Sequence, residues 1–431
     1  MSKDKNALDQ RAISILQGND RGGYTVPTHG LYPYQWNWDS AFVALGFAVF
    51  DPDRALRELE TLFEGQWRNG MLPHIIFRAD DPDYFPGPGV WRTGTRPPSS
   101  GISQPPVVAS IVWRLWERWA EGPQRARLKG LFPKLLALHR WFHSARDPGG
   151  QGVVVATHPW ESGRDNSPEW DAPLAAVDTS GVEPYRRRDL KHVNAAMRPT
   201  AAQYDGYVAL VEYGREQGWD TLKIAREGPF RMADVGLSFI LLRADRDLLR
   251  LAQVLGDERA AAEIQAWIER GLAGVEQLWD PAADTFCSWD LITGRASGQL
   301  TSASFLYAYA DAGTDAQRQR MQGHWQRIAE QVRFTLPSFD PDESAFDPAC
   351  YWRGPCWAVV NHMVARGFAE QGQGEAAARI KADTRRLIAT HGFAEAFDPV
   401  AGTASGGGEF SWTAAMWLAW AGVDATDEEQ Q

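Results

Sequence analysis

The chain has 431 residues and a formal net charge of −11, with no block of basic residues, which excludes nucleic acid and anionic membrane surfaces as principal partners. Hydrophobic residues make up 44% and charged residues 23%, so the chain can bury a large core, yet no apolar run reaches the roughly 18–20 residues that cross a bilayer. Three cysteines, Cys287, Cys350 and Cys356, offer neither a disulfide framework nor a metal-ligand spacing, and with a polar N-terminal stretch they predict a reducing, cytoplasmic setting.

Residues 6–18 predict a helix, followed by the turn-rich segment 27–33. The aromatic and amide cluster Tyr32-Pro-Tyr-Gln-Trp-Asn-Trp-Asp39 comes next. Asp39 or Ser40 can cap a helix over 41–50, and Asp51-Pro52-Asp53 caps a second over about 53–68. Residues 69–104 alternate Pro and Gly with Tyr84, Phe85 and Trp91; a loop this long inside a compact domain is usually functional and predicts a lid or rim. After Pro105-Pro106, Val108, Ile111, Val112, Leu115 and Trp119 recur at helical spacing on one face. Residues 124–145 form the partner helix, with Leu128, Leu131, Leu135, Leu138 and Phe142 on one side. Residues 158–171, His-Pro-Trp-Glu-Ser-Gly-Arg-Asp-Asn-Ser-Pro-Glu-Trp-Asp, have neither helical nor strand periodicity and read as a loop. Helices follow over 199–217, 231–255, 257–279, 303–312, 314–334, 353–371, 374–391 and about 411–421. Convincing strands are almost absent, 153–155 and 285–289 being short exceptions. Helices in successive pairs, joined by alternating short turns and long loops, predict an all-α, single-domain toroid spanning 1–431, with the long loops gathered at one mouth.

Twenty Trp against 11 Tyr invert the usual order. Some Trp fill the helical core, but Trp36, Trp38, Trp91, Trp160, Trp170, Trp352 and Trp357 stand in polar loops. Acids beside indoles suit a sugar, whose C–H faces stack on rings and whose hydroxyls bond to carboxylates. Three loops carry acids beside aromatics: Trp38-Asp39, the loop bearing Glu161, Asp165, Glu169 and Asp171, and Gly406-Gly-Gly-Glu-Phe-Ser-Trp412. A fourth cluster, Cys350-Tyr-Trp-Arg-Gly-Pro-Cys-Trp357, has no acid but has Gly354, where backbone can approach a ligand closely. Glycoside hydrolysis needs one carboxyl held protonated and another ionised across the scissile bond, and burial beside rings raises a carboxyl pKa. Asp39 reads equally as a helix cap, and Glu409 also as a first-turn acid answering the helix dipole; the Gly triplet before Glu409 looks built for ligand access. The histidines do not cluster at metal spacing and no G-x-S-x-G elbow is present, so neither a metal nor any other cofactor is expected.

Four segments, Tyr34-Gln-Trp-Asn-Trp-Asp39, residues 158–171, Tyr351-Trp-Arg-Gly-Pro-Cys-Trp357 and Gly408-Glu-Phe-Ser-Trp-Thr413, together resemble glycoside hydrolase family sixty-three in the family's own order. The likeness is greatest to its short bacterial members, which hydrolyse mannosylglycerate and glucosylglycerate. The resemblance implies an (α/α)6 barrel that hydrolyses α-glycosides with inversion, without a cofactor. It assigns Asp165 as general acid and Glu409 as general base. It places Tyr32, Gln35, Trp36, Trp38, Asp39, Trp160, Tyr351, Trp352, Gly354 and Trp357 around the sugar. It offers Arg198 and Tyr204, with Tyr84 and Gln104 from the lid, to hold a glycerate carboxylate, for which the planar guanidinium fork is suited. Glu169 departs from the family, where a basic residue is frequent, and its extra negative charge weighs against an anionic aglycone. The expected partner is therefore a small carbohydrate, with no nucleic acid and no membrane; a homo-oligomer is compatible with the sequence. The alternatives are an α-glucosidase for an uncharged glycoside such as glucosylglycerol or a disaccharide, and a sugar-binding barrel without catalysis.

Overall fold

The computed structural model describes residues 2–424. Its helices are α1 (Ser2–Asn19), α2 (Asn37–Phe47), α3 (Pro52–Glu64), α4 (Val108–Arg118), α5 (Pro123–Ala145), α6 (Ala201–Glu216), α7 (Val235–Leu255), α8 (Glu258–Val275), α9 (Leu306–Ala310, extended backwards by a 3-10 turn over Ser302–Phe305), α10 (Asp315–Gln331), α11 (Ala358–Glu370), α12 (Gly374–His391) and α13 (Ser411–Met416, continued by a π-helical turn over Trp417–Ala421); three shorter ones lie in loops. Local chemistry sets many of the boundaries. Asp51 accepts from the Arg54 N–H ahead of Pro52, Thr200 and Thr314 form capping boxes with Gln203 and Gln317, and Gly256 ends α7 in the left-handed region.

Six helices form a closed inner ring in the order α2, α4, α7, α9, α11, α13 and back to α2, each packed on the next. The others lie outside: α3 on α2, α5 on α4 and α7, α8 on α7, α12 on α11, and α1 on α13. Helix α10 reaches α11 through the edge-on contact of Trp325 with Phe368. This is an (α/α)6 barrel. The inner helices are apolar on nearly every face; every residue of α2 is buried. A single continuous apolar core links both rings.

Strands are short, as expected. Val155–Ala156, Met232–Ala233, Trp289–Asp290 and Arg295–Ala296 make one four-stranded sheet. Gln35–Trp36 pairs antiparallel with Ile75–Ile76 and so fastens the 69–104 segment beside the start of α2.

The start of α2 differs from the sequence expectation. Neither Asp39 nor Ser40 caps it: the helix begins at Asn37, its N-cap is Trp36 without a side-chain cap, and Asp39 lies in the first turn. The freed N–H groups are answered by distant residues, Asn37 N–H by the His74 carbonyl (3.1 Å) and Trp38 N–H by the Gln104 side chain (3.3 Å). A cap supplied from elsewhere in the chain leaves no local signal.

Candidate active site

At the mouth formed by the N-terminal ends of the inner helices lies a cavity of about 100 Å³. At roughly 10–15 Å³ per water it matches one sugar ring with a small aglycone rather than an oligosaccharide. Its walls bring together Tyr32, Trp36, Trp38, Asp39, Tyr84, Gln104, Trp160, Asp165, Arg198, Tyr204, Tyr351 and Trp352, each expected from the sequence.

The loop 158–171 shows how one acid becomes available. His158 Nε2 donates to the Tyr207 carbonyl (3.0 Å), which leaves Nδ1 to accept from Trp160 N–H (3.0 Å) and start the turn Pro159–Ser162. Three of the four acids in the loop are consumed structurally. Buried Glu161 accepts from Arg146 Nε and Nη2 (3.0 and 2.7 Å) and from the Thr157 N–H (2.8 Å). Glu169 is paired with buried Arg164, which also donates to Asp234 (2.8 Å). Asp171 takes both Nη atoms of Arg353 (2.9 and 2.7 Å), tying this loop to the Tyr351–Trp357 segment. The negative charge of Glu169 is therefore answered locally and does not reach the cavity.

Asp165 faces the cavity. Its backbone is fixed by the Tyr207 hydroxyl, which donates to the Asp165 carbonyl (2.7 Å), and Gly163 two residues earlier must be glycine on two counts, its φ of 68° and the Trp38 ring, which a Cβ would meet at 2.8 Å. Burial, with the nearby Glu395 charge, pushes the Asp165 carboxyl up to about 7 against the opposing pull of Arg198. A carboxyl so placed is partly protonated near neutral pH.

Glu409 does not join it. Its side chain is 65% exposed, ion-paired with Arg11 on the outer helix α1, on a backbone with φ 47°. The neighbouring Phe410 and Trp412 line the cavity instead. The carboxylate across from Asp165 is Glu395, which the sequence reading missed. Glu395 is 1% exposed. Its Oε1 accepts from the Tyr32 hydroxyl (2.9 Å) and lies 3.7 Å from Arg198 Nη1, and its Oε2 accepts from the Gly407 N–H (2.8 Å). The Gly triplet serves this carboxylate rather than a ligand: a Cβ on Gly406 would come within 2.3 Å of Glu395 Oε2. Trp412 Nε1 and the Thr413 hydroxyl donate to the Glu395 and Ala394 carbonyls (3.1 and 2.6 Å), so the Phe-Ser-Trp-Thr segment holds Glu395 from behind. Burial raises the Glu395 carboxyl, while Arg198, the Gly407 N–H and Tyr32 hold it down. No periodic pattern marks Glu395 in the sequence, since Phe393 to Phe397 are all buried, the two alanines included, and only Ala396–Phe397 is strand.

Three further expectations are corrected. Gln35 does not line the cavity: it bridges Ser40 (3.1 Å) and Arg78 (2.6 Å) inside the core. Trp357 lies one layer back, stacked face to face on Trp352 with centroids 3.9 Å apart, and so sets the plane of that ring. Gly354 allows close approach of backbone to backbone, a Cβ there falling 2.2 Å from the Asp347 carbonyl, and meets no ligand space. Asp39 does line the cavity, and burial beside Glu395 and Glu58 pushes its carboxyl well above the usual range.

Two guanidiniums line the cavity; Arg188 is taken up by the Gly30 carbonyl (2.7 Å) and Asp81, and Arg198 faces the acids. Nε donates to Asp189 (3.0 Å), Nη2 donates to the Tyr32 hydroxyl (3.0 Å), and the group lies 4.1 Å above the Tyr351 ring. Nη1 has no hydrogen-bond partner among the described residues. Above it, Tyr84 and Phe85 form a roof from the 69–104 segment, secured by the Phe85–Tyr185 stack (4.7 Å) and the Arg188–Asp81 ion pair (2.5 Å). Among the described residues no cluster of three or more His, Cys, Asp or Glu could hold a metal ion, and no helix is long and apolar enough to cross a membrane.

A cavity that sets two buried carboxyls against aromatic walls is what a glycosidase requires, and comparison with known proteins agrees. Residues 32–413 match the family model described as mannosylglycerate hydrolase MGH1-like glycoside hydrolase domain. The chain belongs to this glycoside hydrolase family. The mannosylglycerate hydrolase of Thermus thermophilus is 48% identical, over 95% of this chain and 99% of its own. The glucosylglycerate hydrolase of Mycolicibacterium hassiacum is 34% identical, over 96% and 98%. A crystal structure of the family 63 mannosylglycerate hydrolase from Thermus thermophilus in complex with Tris and D-glycerate superposes with a TM-score of 0.91 at 48% identity, covering 96% of this chain and 99% of that one. This glycoside hydrolase therefore shares its fold with the Thermus thermophilus enzyme over nearly the whole of both chains.

Proposed function

We propose that the chain is an inverting α-glycosidase that hydrolyses mannosylglycerate or glucosylglycerate to the sugar and glycerate. The observation that carries this reading is the pairing of Asp165, raised to about 7, with Glu395, held by Tyr32, Gly407 and Arg198, in one aromatic-walled cavity. Asp165 protonates the bridging oxygen as it leaves. Glu395 takes a proton from a water attacking the anomeric carbon from the opposite face, so the released sugar has the inverted configuration; such a water needs about 6.5–9.5 Å between the carboxyls. Trp36, Trp38, Trp160 and Trp352 offer ring faces to the sugar, and Asp39 bonds its hydroxyls. Arg198, with Tyr84, Gln104 and Tyr204, receives the glycerate carboxylate. The 69–104 segment acts as the lid of this single catalytic domain, and three free cysteines suit a cytoplasmic setting.

A second reading has one observation in its favour. Asp189 already bonds Arg198, which lessens the charge available to an anionic aglycone and suits an uncharged α-glycoside such as glucosylglycerol. A panel of mannosylglycerate, glucosylglycerate and glucosylglycerol, followed by NMR of the first anomer released, separates the readings. Fast release of the β-anomer from a glycerate-bearing substrate is expected. Release of the α-anomer first would overturn inversion, and equal turnover of glucosylglycerol would favour the second reading.

A further inference from the structure

The catalytic loops sit at the N-terminal ends of the inner helices, so the opposite mouth is built from their C-terminal halves. A second cleft, of about 830 Å³, opens there, and none of its lining residues belongs to the catalytic cavity. Its floor is apolar, with Leu45, Leu115 and Trp420. Among the described residues its walls carry the cations Arg114, Arg366 and Arg385 and the acid Glu117. Part of this charge has a structural explanation. Cations favour helix C-terminal ends, Arg366 pairs with Glu370 (2.7 Å), and Arg385 pairs with Asp424 (2.7 Å).

Arg114 has none. It is half-buried on α4, and no hydrogen bond or ion pair engages it among the described residues. Burial and the neighbouring Arg366 push its guanidinium down to about 10, and Tyr309 and Glu117 offset this in part. A half-buried cation facing other cations carries an electrostatic cost that a bound anion relieves. Beside it His362 is 6% exposed, and its Nδ1 has no partner among the described residues. Its ring meets Trp420 edge-on at 5.2 Å. Burial and the charges of Arg114 and Arg366 keep this imidazole neutral, well below its ordinary range. A neutral imidazole can give one N–H to an oxyanion.

We propose that this mouth binds a compact dianion, a phosphate monoester or a small dicarboxylate, between Arg114 and Arg366 and over the His362 imidazole. Two guanidinium forks and one imidazole N–H supply the charge-assisted hydrogen bonds that such a group needs, and the apolar floor accepts its carbon skeleton.

The test uses the full chain, with inorganic phosphate and succinate as probes in calorimetric titration and thermal melting. Arg198→Met is run in parallel, because the Arg198 guanidinium in the catalytic cavity is another place an anion can go. Saturable binding of either probe at one per chain is expected, with a rise in Tm that follows ligand concentration. Arg114→Met should weaken it roughly tenfold or more, Arg114→Lys should recover part of the loss, and Arg198→Met should leave it unchanged. In anion-free buffer Arg114→Met should melt no lower than the parent, since it removes an uncompensated charge; a purely structural arginine would lower the melt. No saturable binding of either probe, or binding lost in Arg198→Met but kept in Arg114→Met, overturns the proposal. Should Arg114→Met not fold, the same titration on Arg366→Gln decides by the same criteria. Which probe binds identifies the ligand class.

Discussion

Asp165 and Glu395 share a cavity but not an environment, and that asymmetry gives each a task. Replacing Asp165 by Asn or Glu395 by Gln should lower kcat roughly 10²–10⁴-fold, the usual worth of a positioned proton donor or acceptor, with the barrel intact by circular dichroism. Glu409→Gln should leave kcat within a few fold, because its side chain faces solvent and Arg11; a large loss there would restore Glu409 as the base. The pH profile carries a second expectation. With the Asp165 carboxyl at about 7, kcat/KM should fall as pH rises through that value, since the acid is then ionised. Arg198 lowers this carboxyl, so Arg198→Met should shift the alkaline limb to higher pH as well as raise KM for a glycerate-bearing substrate. Linkage gives the matching stability change. A carboxyl near 3.9 unfolded and about 7 folded favours the fold fully below the first value and loses that contribution as pH rises through the second. The melting advantage of Asp165→Asn over the parent should therefore open between roughly pH 4 and 7 and then level off. These residues were unequally legible in the sequence. The motif around Asp165 is dense and local. Glu395 lies in a plain Phe-Ala-Glu-Ala-Phe stretch, and the glycines that cradle it stand beside a different glutamate, so proximity in sequence pointed to Glu409.

At the scale of elements, the proposed base Glu395 depends on a hairpin and the proposed acid Asp165 on a loop, and both are held in part by groups outside the cavity walls. Ala396–Phe397 pairs with Ala404–Ser405, and the chain returns through Gly406 at φ 77° directly beneath the Glu395 carboxylate. Gly406→Ala should cut kcat far more than it cuts stability, because the added methyl must displace the carboxylate it abuts while the barrel helices stay in place. A loss in Tm without a loss in kcat would show that this turn is merely structural. Arg146 tests the acid side in the opposite sense: Arg146→Met leaves Glu161 buried without its partner, which typically costs about 3–5 kcal/mol, and should show first as a lower Tm. Helix positions were read well from periodicity because the inner and outer helices present wide apolar faces. The start of α2 was not, since its caps come from His74 and Gln104, 37 and 66 residues further along. The side-chain roles of Gln35, Gly354 and Trp357 were likewise invisible locally: whether an aromatic faces a sugar or stacks behind another ring is decided by the layer in which it lies.

The whole molecule is a ring, and a ring is only as firm as its seam. Paired helices with long alternating loops suggested a toroid, but closure itself left no motif, because it joins the beginning of the chain to its end. The seam is where α2 meets α13, with α1 covering it. Gly46 makes that approach possible: a Cβ there would lie 2.6 Å from both Cα and Cβ of Ala415 and 3.0 Å from Leu16. Two of the three nearest atoms belong to a residue whose backbone cannot rotate aside, so a larger side chain must part the helices. Gly46→Leu should therefore destabilise the fold by the overpacking cost of about 1–3 kcal/mol or more, read as a fall in Tm. The effect should reach the active site although Gly46 lies nearly two helical turns below it. Helix α2 carries Trp38 and Asp39 in its first turn, and Phe410 and Trp412 lie at the start of α13. Spreading this pair widens the wall between Asp39 and the aromatic face opposite, which should raise KM, and it shifts Trp412 and Thr413, which hold the Glu395 segment, so kcat should fall as well. Gly46→Ala should show the same pattern at smaller amplitude. An unchanged melt for Gly46→Leu would mean that the seam can open without cost, and the closed inner ring would then not be what holds the site in shape.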